Sequence, residues 1–137
     1  MSVAPYIQCA GNCREMVDTY ARAFGVPVGN IMTYGEMPGE MGQDLPEGLG
    51  ELIAHAELEI HGTTIGFSDH FPVSSAVSGN NVGLIVTLTD EEALTREFNA
   101  LSEGGTVEMP LAPTFWAKWY GVLTDKYGVP WQFMILP

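Results

Sequence analysis

The chain has 137 residues, 46 % of them hydrophobic, which is enough apolar material for a packed core and excludes a disordered polymer. Lys and Arg total 5 against 17 Asp and Glu, a net charge of −12 that repels phosphate backbones and anionic lipid and sets nucleic acid and membrane surfaces aside as partners. No apolar run approaches the roughly 20 residues of a bilayer span, Met1-Ser2-Val3-Ala4-Pro5 lacks the grammar of a secretory signal, and two cysteines are too few to staple a fold, so a reducing cytoplasm is the expected setting.

Residues 1–10 read as a strand, with Val3, Tyr6 and Ile7 among small residues. Gly11-Asn12 then leads into a helix over 13–24, where Cys13, Met16, Val17, Tyr20, Ala21 and Phe24 fall on one face. Asn12 is the expected N-cap, Glu15 completes a capping box, and Gly25 supplies the left-handed stop. Strands are expected near 27–34, 52–60 and 63–68, with His61-Gly62 as a hairpin turn. Residues 35–50, with Pro38, Pro46 and five glycines, form a loop of more than usual length, to be read as a lid, an interface or simple disorder. Residues 70–80, rich in Ser and Gly, join the first half to a second that repeats its grammar.

In that second half a strand over 81–88 precedes a helix capped at Thr89, with Glu92 at the box position and Leu94, Phe98 and Leu101 as its buried stripe. Gly104-Gly105 ends it, and strands follow near 106–111, 116–124 and 129–136, the last entered through Lys126-Tyr127-Gly128. The result is an α+β chain made of two β-α-β-β-β repeats, about 1–70 and 80–137, expected to form a single domain over 1–137.

This doublet resembles the vicinal-oxygen-chelate superfamily of glyoxalases, bleomycin-resistance proteins and extradiol dioxygenases, and more narrowly its PhnB-like branch. The resemblance rests on Gly11-Asn12-Cys13-Arg14-Glu15, Tyr20 to Phe24-Gly25, the run Met32 to Pro38, His55-Ala56-Glu57-Leu58, Ser68-Asp69, Ala100 to Gly105, Thr114 to Gly121 and Thr124 to Trp131. It implies a homodimer and a small-molecule cavity inside a curved mixed sheet. It implies no particular reaction. The branch carries a 3-demethylubiquinone 3-methyltransferase domain label, yet the sequence has no glycine pattern that would hold a methyl donor.

Metal-dependent members of the superfamily place four His, Glu or Gln ligands on the first and last strands of each half. Here those strands offer Pro5, Tyr6 and Gln8; Thr64, Gly66 and Ser68; Gly83; and Gln132. Neutral amides are weak ligands, so the usual four-ligand centre is not expected and no metal ligand is assigned, although a divalent metal elsewhere stays open. The strand His55-Ala56-Glu57-Leu58-Glu59-Ile60-His61 puts His55, Glu57, Glu59 and His61 on one side. That side is a solvated polar face, a cavity wall in which His55, partnered by Glu57, transfers a proton, or a place where two of these neighbours share a metal ion.

Gln8, Trp119, Tyr120 and Gln132 are the candidate ligand-binding residues, with Trp119 on the face opposite Trp116, Lys118 and Tyr120. Packing alone would also account for the aromatics. Asp125, beside Gly128, reads as turn chemistry. Cys9 and Cys13 read as buried free thiols, the alternative being a thiol acidified by a helix N-terminus. The leading expectation is a PhnB-like protein with a small-molecule cavity; a ligand-sequestering protein and a metal-dependent lyase or dioxygenase are the competing ones.

Overall fold

A computed structural model describes residues 1–37, 48–70 and 73–137, so most of the long loop expected over 35–50 lies outside the described residues. The chain divides into two compact units, 1–77 and 78–137. The first holds β1 (Tyr6–Cys9), α1 (Cys13–Phe24), β2 (Ile31–Thr33), β3 (Ile53–Ile60) and β4 (Thr63–Asp69). The second holds β5 (Leu84–Thr87), α2 (Glu91–Ser102), β6 (Thr106–Ala112), β7 (Trp119–Thr124) and β8 (Pro130–Ile135). The strand order is β1-β4-β3-β2 in one sheet and β5-β8-β7-β6 in the other. In each the first strand pairs parallel with the last and the other pairs are antiparallel, so the two repeats share one topology. Among the described residues no helix is long and apolar enough to cross a membrane.

Several element bounds differ from the sequence reading. Residues 1–5 stand outside β1, β2 and β5 are shorter than expected, and β7 begins at Trp119 because Thr114 to Ala117 close a local turn, in which the Ala117 N–H donates to Thr114 Oγ1 at 3.0 Å. A single 3-10 turn, Tyr34–Glu36, opens the expected loop.

The apolar stripe of α1 packs on β3 and β4 and buries Met16, Val17 and Tyr20 over Ala56, Leu58, Ile65 and Phe67; the Tyr20 and Phe67 rings lie 5.8 Å apart. Gly25 ends the helix at φ 66°, and the Val26 N–H closes back on the Ala21 carbonyl at 2.9 Å. His61 (φ 48°) and Gly62 (φ 83°) are both left-handed, as a two-residue turn that matches the twist of its hairpin requires.

In the second unit Leu94, Phe98 and Leu101 of α2 cover Leu123 and Phe133, with the Phe98 and Phe133 rings edge to face at 5.4 Å. Gly121 makes this packing possible: a Cβ there would meet Phe98 Cε2 and Leu111 Cδ2, each at 2.8 Å.

The helix caps correct the sequence reading. Asn12 makes no side-chain cap bond. Instead the first N–H of α1, on Cys13, donates to Asp69 Oδ1 at 2.9 Å, from the far end of β4. The β2–β3 register slips between Met32 and Thr33, and the Ile53 N–H at that point donates to Asp69 Oδ2 at 2.8 Å. One carboxylate, 2 % exposed, therefore ties a helix start to a strand start. At α2 the cap is Asp90, one residue beyond Thr89, and it accepts from the Glu92 and Ala93 N–H groups.

Candidate functional site on the open sheet faces

Each sheet has one face under its helix and one face without a helix. On β3, Ala56, Leu58 and Ile60 turn to α1 while His55, Glu57 and Glu59 turn away. The register aligns Tyr6 of β1, Gly66 of β4 and Glu57 of β3 in one row, with His55 one step along the same face.

β1 and β3 flank β4, so their backbones stand about 10 Å apart. Tyr6 bridges that distance by laying its ring over Gly66, where a Cβ would come within 2.5 Å of Tyr6 Cδ2 and 2.7 Å of Cε2. The phenol then stacks beside the His55 imidazole, ring centroids 5.8 Å apart, and its Oη lies 3.1 Å from His55 Nδ1. The other ring nitrogen, Nε2, lies 3.0 Å from Glu57 Oε1.

This row has a defined proton logic. A carboxylate only accepts, so His55 Nε2–H donates to Glu57, and the neutral imidazole presents the Nδ1 lone pair to the Tyr6 hydroxyl. When Nδ1 carries a proton, the Tyr6 O–H has a second acceptor in the Phe67 carbonyl at 3.4 Å. A proton can thus sit on His55 or on Tyr6 without breaking the chain. Tyr6 as a residue is 50 % exposed. Beside it on β1, Gln8 accepts through Oε1 from His70 Nδ1 at 2.9 Å.

The open face of the second sheet is more apolar. Ile85 (β5), Gln132 and Met134 (β8), and Tyr120 and Val122 (β7) share it. The Tyr120 hydroxyl donates to Gln132 Oε1 at 2.7 Å, and Trp116 meets the Tyr120 ring edge to face at 5.4 Å. Trp119 stands on the opposite, helix side with Gly121 and Leu123, where it lines a separate hollow of about 490 Å³ with Glu91, Thr114 and Lys118. The six candidates therefore fall into three places: His55, Glu57 and Gln8 on the first open face, Tyr120 and Gln132 on the second, and Trp119 behind it.

The positions that would supply the superfamily's metal ligands do not fit a metal. In the first unit Gly66 has no side chain, its space is filled by the Tyr6 ring, and the Tyr6 hydroxyl is engaged with His55. In the second, Gly83 lies ahead of β5 against the Pro130 carbonyl, Ile85 takes the open-face position, and Gln132 Oε1 is held by Tyr120. No imidazole or carboxylate stands at any of them.

Two buried aspartates and the two thiols also carry polar chemistry. Asp125 shapes the turn before β8, as read from the sequence: Oδ1 accepts from the Tyr127 and Val129 N–H groups at 2.8 and 3.1 Å, and Oδ2 from Trp131 Nε1 at 2.9 Å. Cys9 and Cys13 are buried and free. A hydrogen bond with Cys9, burial, and the charges of Cys9 and Asp69 push the Cys13 thiol well above its ordinary range, so the acidified-thiol reading is overturned. A lone acid at a strand end carries no local signal of its role, and what Asp69 holds shows only once β4 is paired.

The model of the Glyoxalase/Bleomycin resistance protein/Dioxygenase superfamily matches residues 2–133, and the chain belongs to that superfamily. It is 34 % identical to Protein YjdN of Escherichia coli over 99 % of this chain and 96 % of that one. Among solved structures it is similar to protein PA1353 of Pseudomonas aeruginosa, with a TM-score of 0.86 and 31 % identity over 99 % of this chain and 98 % of that one. It also has the fold of the PhnB protein of Bacillus cereus, with a TM-score of 0.81 and 24 % identity over 98 % and 99 % of the two chains.

Proposed function

We propose that this protein binds a small organic molecule on the open face of its first sheet, where Tyr6 meets the ligand and His55 and Glu57 govern its proton. The observation that carries the reading is the hydrogen-bonded row Tyr6–His55–Glu57, built across β4 over Gly66. In this reading Glu57 orients the imidazole, His55 takes or returns a proton at Nδ1, and Tyr6 donates to or deprotonates the ligand. The row stands in place of the superfamily's four-ligand metal centre, and the working protein is a cytoplasmic homodimer. A non-catalytic, ligand-sequestering role is the second reading, supported by the apolar Ile85, Val122 and Met134 on the second open face.

The test is a thermal-shift screen of small organic compounds against wild type, Tyr6→Phe and His55→Ala, with circular dichroism as the check on fold. Compounds that stabilise wild type and lose affinity in both variants support the site; compounds that bind all three alike place it elsewhere. Turnover of a bound compound that survives His55→Ala removes the proton role and leaves sequestration. One divalent ion per chain that persists in Cys9→Ser and is lost in Tyr6→Phe or Gln132→Ala would restore the metal centre.

A further inference from the structure

Behind the first sheet, on its helix side, the end of β1 and the start of α1 bring sulfur together. Sγ of Cys9, Sγ of Cys13 and a carboxylate oxygen of Asp69 all lie within 4.8 Å of one another. Met16, one turn into α1, adds a thioether: its Sδ is 3.5 Å from Cys9 Sγ. All four residues are buried, none more than 4 % exposed. A metal–sulfur bond of about 2.3 Å sets sulfurs around one ion about 4 Å apart, so these spacings need little adjustment to close on an ion.

We propose that Cys9 and Cys13 are the ligands of one soft d10 metal ion, Cu(I) in a reducing cell, with Met16 as the third sulfur. The donor chemistry selects the ion: thiolate and thioether sulfur suit Cu(I), whereas a structural Zn(II) site takes four N, S or O ligands. Asp69 is a poor fourth ligand, because its two oxygens already accept the Cys13 and Ile53 N–H groups, and it stays in place as the cap. Binding converts two thiols to thiolates and releases two protons to solvent. The positive end of α1, which begins at Cys13, offsets the negative charge left behind. Entry needs only a local opening, since the residues between the two cysteines, Ala10, Gly11 and Asn12, are exposed.

The experiment is an anaerobic titration of the intact chain with Cu(I) against a chromophoric Cu(I) chelator. One ion per chain, with ultraviolet thiolate-to-copper absorption and an unchanged far-ultraviolet dichroism spectrum, is expected. Cys9→Ser and Cys13→Ser should each weaken binding by more than about 100-fold, beyond the 10–100-fold that loss of an outer partner costs. Met16→Leu should weaken it less, by about 10-fold. If Cys13→Ser does not fold, Cys9→Ser and Met16→Leu decide. Binding that is absent, that appears only on unfolding, or that is unchanged in folded Cys9→Ser overturns the proposal, as does cysteine-dependent uptake of Zn(II) without Cu(I).

Discussion

Substituting Gly66→Ala should uncouple Tyr6 from His55 while leaving the sheet intact. The new Cβ would stand 2.5 Å from Tyr6 Cδ2, so the ring has to leave, and at 50 % exposure it has somewhere to go. Departure gives up the Oη–Nδ1 hydrogen bond, about 0.5–1.5 kcal/mol, and the stacking on the imidazole, about another 0.5–1.5 kcal/mol. Replacing glycine within a strand returns about 0.5–1 kcal/mol. The net loss is therefore about 0–2.5 kcal/mol, a fall of a few degrees in Tm. The sharper assay is a double-mutant cycle with Tyr6→Phe, read by urea unfolding alongside the nitrogen chemical shifts of the His55 ring. Once the ring has moved, removing its hydroxyl costs nothing further, so the two changes should be non-additive by about 0.5–1.5 kcal/mol. Additive losses, or a His55 ring unperturbed by Gly66→Ala, would refute the bridge over Gly66.

Other perturbations probe the parts that hold this face in place. Asp69→Ala strands two buried N–H groups, on Cys13 and Ile53, and should cost about 2–6 kcal/mol in denaturant unfolding; a loss under 1 kcal/mol would mean water replaces the carboxylate. Asp125→Ala removes the acceptor of Trp131 Nε1 and of two turn N–H groups, so a loss of about 3 kcal/mol or more should come with a changed tryptophan emission, and an unchanged spectrum would count against that bond. Gly121→Ala presses on Phe98 and Leu111 in a closed core and should cost about 1–3 kcal/mol, with no effect on the His55 ring. Neither thiol should react with a bulky disulfide reagent until the chain opens, so labelling rates should rise with denaturant; immediate labelling of two thiols would contradict their burial.

The sequence was most legible where structure is local. The stripe from Cys13 to Phe24, the stop at Gly25 and the hairpin at His61-Gly62 are read from neighbours a few residues apart, and all three stand. Likewise, His55 and Glu57 are two apart on a strand, so their meeting follows from alternation. Tyr6 is different. It reaches His55 49 residues away, and only the register of β1 on β4 shows that Gly66 leaves room for its ring. A glycine read as an empty ligand position was a passage for another side chain. The start of α1 differs for a related reason: Asn12 has the right chemistry at the right offset but makes no side-chain cap bond, and the first N–H of the helix, on Cys13, goes to Asp69, 56 residues downstream. Trp116 to Lys118 looked like strand because aromatic residues favour sheets, yet the Thr114 turn delays β7 to Trp119.

The parallel pairing of first with last strand sets a timetable for synthesis. β1 leaves the ribosome early, but its partner β4 is not complete until Asp69, and β5 waits in the same way for β8 to reach Ile135. Both late strands are inner ones, inserted between strands already made. Until each arrives, the apolar side of its sheet has a gap and two strand edges lack partners, the condition under which nascent chains aggregate. The β3–β4 hairpin closes through a two-residue turn at His61-Gly62 and presents β4 to β1; hairpins close in about 1–10 μs while synthesis adds about 5–20 residues per second, so the emergence of β4, not the turn, sets how long the first sheet stays open.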